Sequence, residues 1–460
     1  MSSHDFSSLK LLPALINNLQ SLHFDSMTAI QANSLPAIVN GRDVIAQGQT
    51  GSGKTAAFGL GLLNKLDPKL FKIQSLVLCP TRELAEQISS EIRRLARMIP
   101  NIKIATIYGG TPVKSQADSL AKGVHIVVGT PGRIEDHINK GNLNLENMET
   151  LVLDEADRML DMGFQKTLDS IIALIPSERQ TLLFSATFPV EIKTIAQRIT
   201  KNAEMIEVAP TQDTVRIDES FYEIENETHR IQGLQALLLQ EDTKQSVVFC
   251  NTRADTQSVA GSLKSAGFSA AALHGDMEQK DRDQTLIRFS NNSINTLVAT
   301  DVAARGLDIN SLDVVFNYHL PRELEVYTHR IGRTGRAGEK GLAFSLFQSS
   351  EQFRLEKLEA YLNKKAAIKP LPPEEILLQK PSRPIMSTLR VEGGKKQKLR
   401  PGDLVGALTK GSNINGKQLG KIQIMDNWAY IAVERPIAKD ALQKLSNDKI
   451  KGKKFRCRLI

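Results

Sequence analysis

The chain has 460 residues, too many for a single core, so its length implies two to four domains, and its longest apolar stretches are strand-sized, which excludes a membrane-spanning helix by length. Met1-Ser2-Ser3-His4-Asp5-Phe6 offers no basic segment leading into an apolar one, and Cys79, Cys250 and Cys457 are too scattered for a disulfide framework or a metal site, which argues against secretion and for a cytoplasmic protein. The net charge of +8 is uneven: residues 380–460 hold 19 Lys and Arg against 6 Asp and Glu, the rest 40 against 45, so the basic end is either a polyanion-binding module or a solvated basic surface.

In chain order, the strand-like Val44-Ile45-Ala46 runs into Gly48-Gln49-Thr50-Gly51-Ser52-Gly53-Lys54-Thr55, which fits G-x-x-x-x-G-K-[ST]. Glycines there let backbone N–H groups turn around phosphate oxygens, and the following helix adds its positive end. Lys54 is expected to reach the β and γ phosphates of ATP and Thr55 to ligate Mg²⁺ through its hydroxyl. About a hundred residues later Leu151-Val152-Leu153 ends in Asp154-Glu155-Ala156-Asp157. Asp154 is expected to hold the metal through its water shell and Glu155 to polarise the attacking water.

Residues 1–209 alternate apolar runs with helical patterns: Leu76-Val77-Leu78, Ile104-Ala105-Thr106-Ile107, Ile126-Val127-Val128, Leu151-Val152-Leu153 and Thr181-Leu182-Leu183-Phe184. That is the signature of a parallel sheet covered on both faces. After a polar hinge at Val208-Ala209-Pro210-Thr211-Gln212-Asp213-Thr214, residues 217–368 repeat the plan with Ser246-Val247-Val248-Phe249, Ala270-Ala271-Ala272-Leu273, Thr296-Leu297-Val298-Ala299 and Val314-Val315-Phe316. Five prolines from Pro370 to Pro384 predict a stiff linker to a small third domain, 386–460. Nearly every strand ends in polar or glycine residues, where open parallel sheets bind their ligands.

In these motifs and their order, residues 1–365 resemble the DEAD-box RNA helicases. The resemblance implies an α/β fold of two tandem RecA-like parallel-sheet domains and an RNA-dependent ATPase that separates short duplexes locally. It further implies that Phe24, Thr28 and Gln31 recognise adenine, that Gln49, Thr50, Gly51, Ser52 and Gly53 cradle phosphate, and that Asp308 lies near the ribose. His329, Arg333 and Arg336 resemble the family's arginine motif, the two arginines being three apart on one helical face as fingers for the γ-phosphate. Thr81, Arg82, Gly110, Thr130 and Arg133, with Arg253, Gly275, Thr300 and Asp301, match positions that contact RNA backbone, and Ser185 with Thr187 the motif that couples hydrolysis to strand separation.

The tail reads β-α-β-β-α-β, an order that resembles an RRM and so predicts a small α+β domain. Trp428 and Tyr430 fall where RRM aromatics stack bases, while Arg390 stands where another aromatic is expected and favours a more basic, structured ligand. Lys395, Lys396 and Arg400 add positive charge. Within the family such a tail implies large-subunit (23S) ribosomal RNA as target and a part in ribosome assembly, by a monomer with no membrane and no stable protein partner. A DNA translocase of the same superfamily and an ATP-gated RNA chaperone are the competing readings.

Overall fold

The computed structural model describes residues 4–48, 51–208, 217–242, 244–304, 312–335, 341–411 and 413–460. The first unit is built on seven parallel strands: β1 (Val44–Gln47), β2 (Ser75–Leu78), β3 (Ile104–Ile107), β4 (Ile126–Gly129), β5 (Thr150–Asp154), β6 (Gln180–Ser185) and β7 (Glu204–Glu207). Their order is β3-β4-β2-β5-β6-β1-β7. Strands β2, β4, β5 and β6 are buried along their whole length, as helices on both faces require. One core face centres on Phe58 and Phe184, whose rings lie 5.4 Å apart, and the other on Met159, Ile171 and Leu183. This order sets the carboxyl ends of β5, β6 and β1 side by side, so Asp154, Ser185 and Gly48 become neighbours, and Gly48 N–H donates to the Ser185 carbonyl at 3.0 Å.

The second unit repeats the plan with β8 (Ile217–Ile224), β9 (Ser246–Cys250), β10 (Ala270–Leu273), β11 (Thr296–Thr300), β12 (Val314–Asn317), β13 (Gly341–Gln348) and β14 (Ile368–Lys369), ordered β10-β11-β9-β12-β13-β8-β14. The sheet pairs are parallel, so both expected RecA-like sheets are present. Strands β7, β8, β13 and β14 were not foreseen in the apolar pattern. In β8, Asp218, Glu219 and Glu223 interrupt that pattern; Glu219 takes Lys364 and the Tyr327 hydroxyl, and Glu223 takes Ser349.

The proline-rich segment is strapped to the second unit rather than held out as a spacer. Leu371 packs beside Gly233 and Ile224, Pro381 lies over Gly267, and the Ser382 carbonyl accepts from Asn295. The tail forms β15 (Met386–Val391), β16 (Leu419–Ile424), β17 (Ala429–Glu434) and β18 (Cys457–Leu459), with helices Pro401–Thr409 and Ala438–Asn447. Its antiparallel sheet runs β16-β17-β15-β18, and Leu389, Val391, Ile431 and Val433 face the helices.

The opposite face of this small sheet carries Thr388 and Arg390 on β15, paired with Ala432 and Tyr430 on β17, and rests on the second unit's helix Gln279–Ser290 and the turn after it. Thr388 shares a hydrogen bond with Ser293 and accepts another from the Asn291 amide at 3.1 Å, while Lys421 donates to Ser290. The Lys280 ammonium lies 5.7 Å from the Trp428 ring centroid, and the Arg390 guanidinium lies 4.4 Å from it. Tyr430 is 1% exposed and Arg390 4%, so this expected stacking position is covered, while Trp428 stays half-buried. The physical reason is that the small and polar residues of this face fit a helix and turn of the neighbouring domain.

Thr388→Val preserves shape but strips the buried Asn291 and Ser293 of these partners. It is expected to destabilise the docked tail by about 1–3 kcal/mol. Urea unfolding followed by emission of Trp428, the chain's one tryptophan, checks this; an unshifted midpoint would show that the contact contributes nothing.

Candidate functional site

The phosphate loop joins β1 to the helix Lys54–Lys65. Gly51 (φ +86°) and Gly53 (φ +95°) take left-handed conformations, and a Cβ on Gly53 would come within 2.5 Å of the Gln31 amide nitrogen. The Thr28 hydroxyl donates to the Ser52 carbonyl at 2.8 Å and Gln31 Nε2 to the Gly53 carbonyl at 3.1 Å. Gln31 Oε1 accepts from the Thr28 N–H at 2.9 Å, so both ends of the Gln31 amide engage protein and brace the loop. Phe24 lies edge-on to the buried Phe6, with the Arg94 guanidinium 5.2 Å from its ring centroid. Lys54 is buried and donates to the Gly48 carbonyl at 2.7 Å. Thr55 follows it, half-buried. Gln49 and Thr50 lie outside the described residues.

At the end of β5, Asp154 is buried, and that burial raises its carboxyl to about 7 against the opposing pull of Lys54. Glu155 is buried with φ +51°, a left-handed conformation that costs a non-glycine residue about 1–3 kcal/mol, a departure that clusters at functional sites. Hydroxyl and carboxylate are hard oxygen donors suited to Mg²⁺, and a buried carboxyl raised this far gains from a cation, so Thr55 and Asp154 fit that ion. Among the described residues no group of three or more His, Cys, Asp or Glu could hold a metal, whereas Mg²⁺ draws chiefly on substrate phosphates and water.

Two residues that organise the candidate site fall outside the sequence reading. Asp157 Oδ2 accepts from both the N–H and the hydroxyl of Thr187, at 3.0 and 2.9 Å, and Ser185 donates to the Thr187 carbonyl at 2.8 Å. Asp157 therefore ties the expected coupling pair to the segment bearing Glu155; its place in the four-residue acidic motif was the available signal. In the second unit Arg330, 1% exposed, binds Asp301 through Nε at 2.6 Å and Nη2 at 2.8 Å, Asn251 at 2.9 Å, and Asn317 and the His319 carbonyl at 3.1 and 2.7 Å. It knits together the ends of β9, β11 and β12. Being sandwiched between His329 and two expected arginine fingers, it gave no sequence signal of its own.

Both carboxylate oxygens of Asp301, expected to meet RNA, are thus engaged by Arg330. His329 sits on the helix Leu324–Ile331 and Arg333 just beyond it, half-buried; Arg336 and Asp308 lie outside the described residues. Thr300 ends β11 beside Asp301, and exposed Arg253 pairs with Asp276 above Gly275. In the first unit the expected RNA residues converge. Thr81 caps the helix Arg82–Leu95, Arg82 lies over the left-handed Gly110, and Thr130 N–H donates to the Ile107 carbonyl as the helix bearing Arg133 begins.

Comparison with known proteins fits this geometry. Residues 28–195 match the DEAD/DEAH box helicase model, 229–338 the helicase conserved C-terminal domain, and 388–459 the DbpA RNA binding domain. The chain belongs to the DEAD-box ATP-dependent RNA helicases. It is 49% identical to the ATP-dependent RNA helicase DbpA of Escherichia coli over 99% of both chains, and 36% identical to DbpA of Bacillus subtilis over 98% of both. A structure of Saccharomyces cerevisiae Dbp5 bound to RNA and ADP BeF3 shares 31% identity, covering 82% of this chain and 99% of that one, with a TM-score of 0.72. This helicase thus joins two RecA-like domains to an RNA-binding tail.

The Asp154 carboxyl gives a signed test in the nucleotide-free helicase. Its folded pKa is raised above the unfolded value, so the folded state holds its proton longer and stability falls as pH rises from about 4 to about 7. Asp154→Asn is therefore expected to raise the melting temperature at pH 8 and to change it little at pH 4, as thermal unfolding across that range would show. Arg330→Ala, which strips the half-buried Asp301 and the buried Asn317 of their donor, is expected to cost about 1–3 kcal/mol in denaturant unfolding of the same protein.

Proposed function

We propose that this helicase acts on large-subunit (23S) ribosomal RNA during ribosome assembly, working in the cytoplasm as a monomer, with the tail as address and the two RecA-like domains as motor. The observation that carries the reading is the basic RNA-binding tail, matched end to end and seated on the second helicase domain through β15. A strapped linker and a docked sheet present any RNA held by the tail at a fixed place on the motor's second half. The tail's charge suits folded RNA, whose phosphates it attracts without reading bases.

In the motor, Lys54 and the loop Gln49–Gly53 hold the phosphates, Thr55 and Asp154 hold Mg²⁺, and Phe24, Thr28 and Gln31 meet the adenine. The ion, when bound, neutralises charge on the phosphates. Glu155 orients and polarises the attacking water, His329, Arg333 and Arg336 meet the γ-phosphate, and Asp308 lies at the ribose. Ser185, Thr187 and Asp157 carry the change at Glu155 to the RNA surface. That surface comprises Thr81, Arg82, Gly110, Thr130 and Arg133 in the first domain and Arg253, Gly275, Thr300 and Asp301 in the second. Domains of 1–209, 217–368 and 386–460 are the working units.

Steady-state ATPase with no RNA, poly-A, total ribosomal RNA, an isolated large-subunit hairpin and matched DNA tests the address. Stimulation by the hairpin well above poly-A is expected, and deleting residues 386–460 is expected to abolish that preference while keeping weak turnover on any RNA. Equal stimulation by every RNA would remove the address role. Glu155→Gln is expected to lower RNA-stimulated turnover about 100-fold or more, and an unchanged rate would overturn its assignment.

A further inference from the structure

On the RNA surface proposed for the first domain, Arg133 is a long side chain whose guanidinium is held by protein partners. Its Nη1 donates to the Thr111 carbonyl and to Gln116 Oε1, both at 3.0 Å, while Nη2 lies toward the Gly109-Gly110 turn. Gln116, buried on the helix Val113–Leu120, is itself locked. Its Nε2 donates to the Tyr108 carbonyl at 2.9 Å and to the Thr111 hydroxyl at 2.7 Å, which orients the amide with Oε1 toward Arg133.

His137, fully buried one helical turn beyond Arg133, completes the arrangement. Its Nε2 lies 3.0 Å from the same Gln116 oxygen, and its Nδ1 lies 3.4 Å from the Asn142 amide nitrogen. An amide oxygen can only accept, so Nε2 carries the proton and Nδ1 accepts from Asn142, giving a neutral ring with one tautomer. Burial, and then the Arg133 charge, lower the His137 pKa in keeping with that neutral form.

We propose that Gln116 and His137 are positioning residues for Arg133: they fix its guanidinium so that Nε and Nη2 are presented to an RNA phosphate with the rotamer entropy already lost. An arginine side chain carries about 2 kcal/mol of rotamer entropy, and a charge-assisted bond to a fixed acceptor removes much of it before RNA arrives. The role rests on the reading of Arg133 as an RNA-backbone contact. It assigns function to a buried pair that touches neither RNA nor nucleotide, and it makes the turn Tyr108–Thr111 and the helix Pro131–Asn139 one RNA-binding unit.

A double-mutant cycle on the full-length helicase tests it, reading the half-saturating concentration of single-stranded RNA in the ATPase assay beside RNA-free nucleotide affinity. Arg133→Ala is expected to raise that concentration about 10-fold, Gln116→Met about 5-fold, and the double variant no further than Arg133→Ala alone, because coupled partners are not additive. His137→Leu is expected to raise it about 3-fold, and His137→Gln, which keeps an N–H donor for Gln116, to restore it to within about 2-fold of wild type. Unchanged RNA-free nucleotide affinity in Gln116→Met and in His137→Leu separates this from unfolding.

Full additivity of Gln116→Met with Arg133→Ala overturns the positioning role, as does a normal RNA requirement in both Gln116→Met and His137→Leu. If Arg133→Ala itself leaves the RNA requirement unchanged, the RNA contact fails and the positioning role falls with it. Should Gln116→Met not fold, the His137→Leu and His137→Gln pair decides by whether the donor rescues.

Discussion

Burial of the Asp154 carboxylate is the constraint from which the first domain's chemistry follows. A parallel strand covered on both faces favours apolar residues along its length, so charged chemistry gathers at the strand's end. There the carboxyl is pushed up to about 7 by desolvation, with Lys54 opposing, and Lys54 is itself held on the Gly48 carbonyl of the phosphate loop. Lys54 thus links the buried acid to the loop where phosphate is expected. The next residue, Glu155, is forced into a left-handed turn, and Asp157 two residues on grips Thr187. Four consecutive residues therefore combine an acid, a strained candidate base and a mechanical link to the neighbouring strand end.

The second domain uses the same sheet plan for the opposite electrostatic task. Where the first sheet ends in an acid short of positive charge, the second ends in a guanidinium whose donors are taken up by Asp301, Asn251, Asn317 and the His319 carbonyl. A buried charge so completely bonded is rigid and has little left for a ligand. Arg330 therefore holds the frame that carries its neighbours His329 and Arg333. Division of labour within one short motif explains why a residue between candidate catalytic groups is itself structural.

The sequence made the central strands legible because their apolar runs are continuous, and it made the strand-end motifs legible because glycine, lysine and acidic residues occur there at fixed spacing. Strands β8 and β13 escaped it. Their evidence is spread over pairing partners: Glu219 is tolerable in a strand only because Lys364 and Tyr327 reach it from far along the chain. The bracing role of Gln31, a residue expected at the adenine, was hidden differently. A free amide and an amide already bonded to Gly53 and Thr28 look the same in sequence, and only the fold shows that this one braces the loop. The coupling of Gln116 to His137 and Arg133 was equally invisible, since no periodicity marks an amide shared between two helices.

The tail shows how docking changes what a fold can read. Strand alternation alone leaves Tyr430 and Arg390 on the open side of the small sheet, and stacking of a base would follow if that side faced water. Instead Thr388 locks against Asn291 and Ser293, Tyr430 is closed off, and the Trp428 ring has Arg390 and Lys280 within cation–π distance. Among the described tail residues, Lys395, Lys396 and Arg400 remain exposed near the start of the helix Pro401–Thr409. Ammonium and guanidinium groups suit phosphates and carry no base information of their own. The tail's exposed charge therefore lies on its loops, while one face of its sheet is held by the second helicase domain.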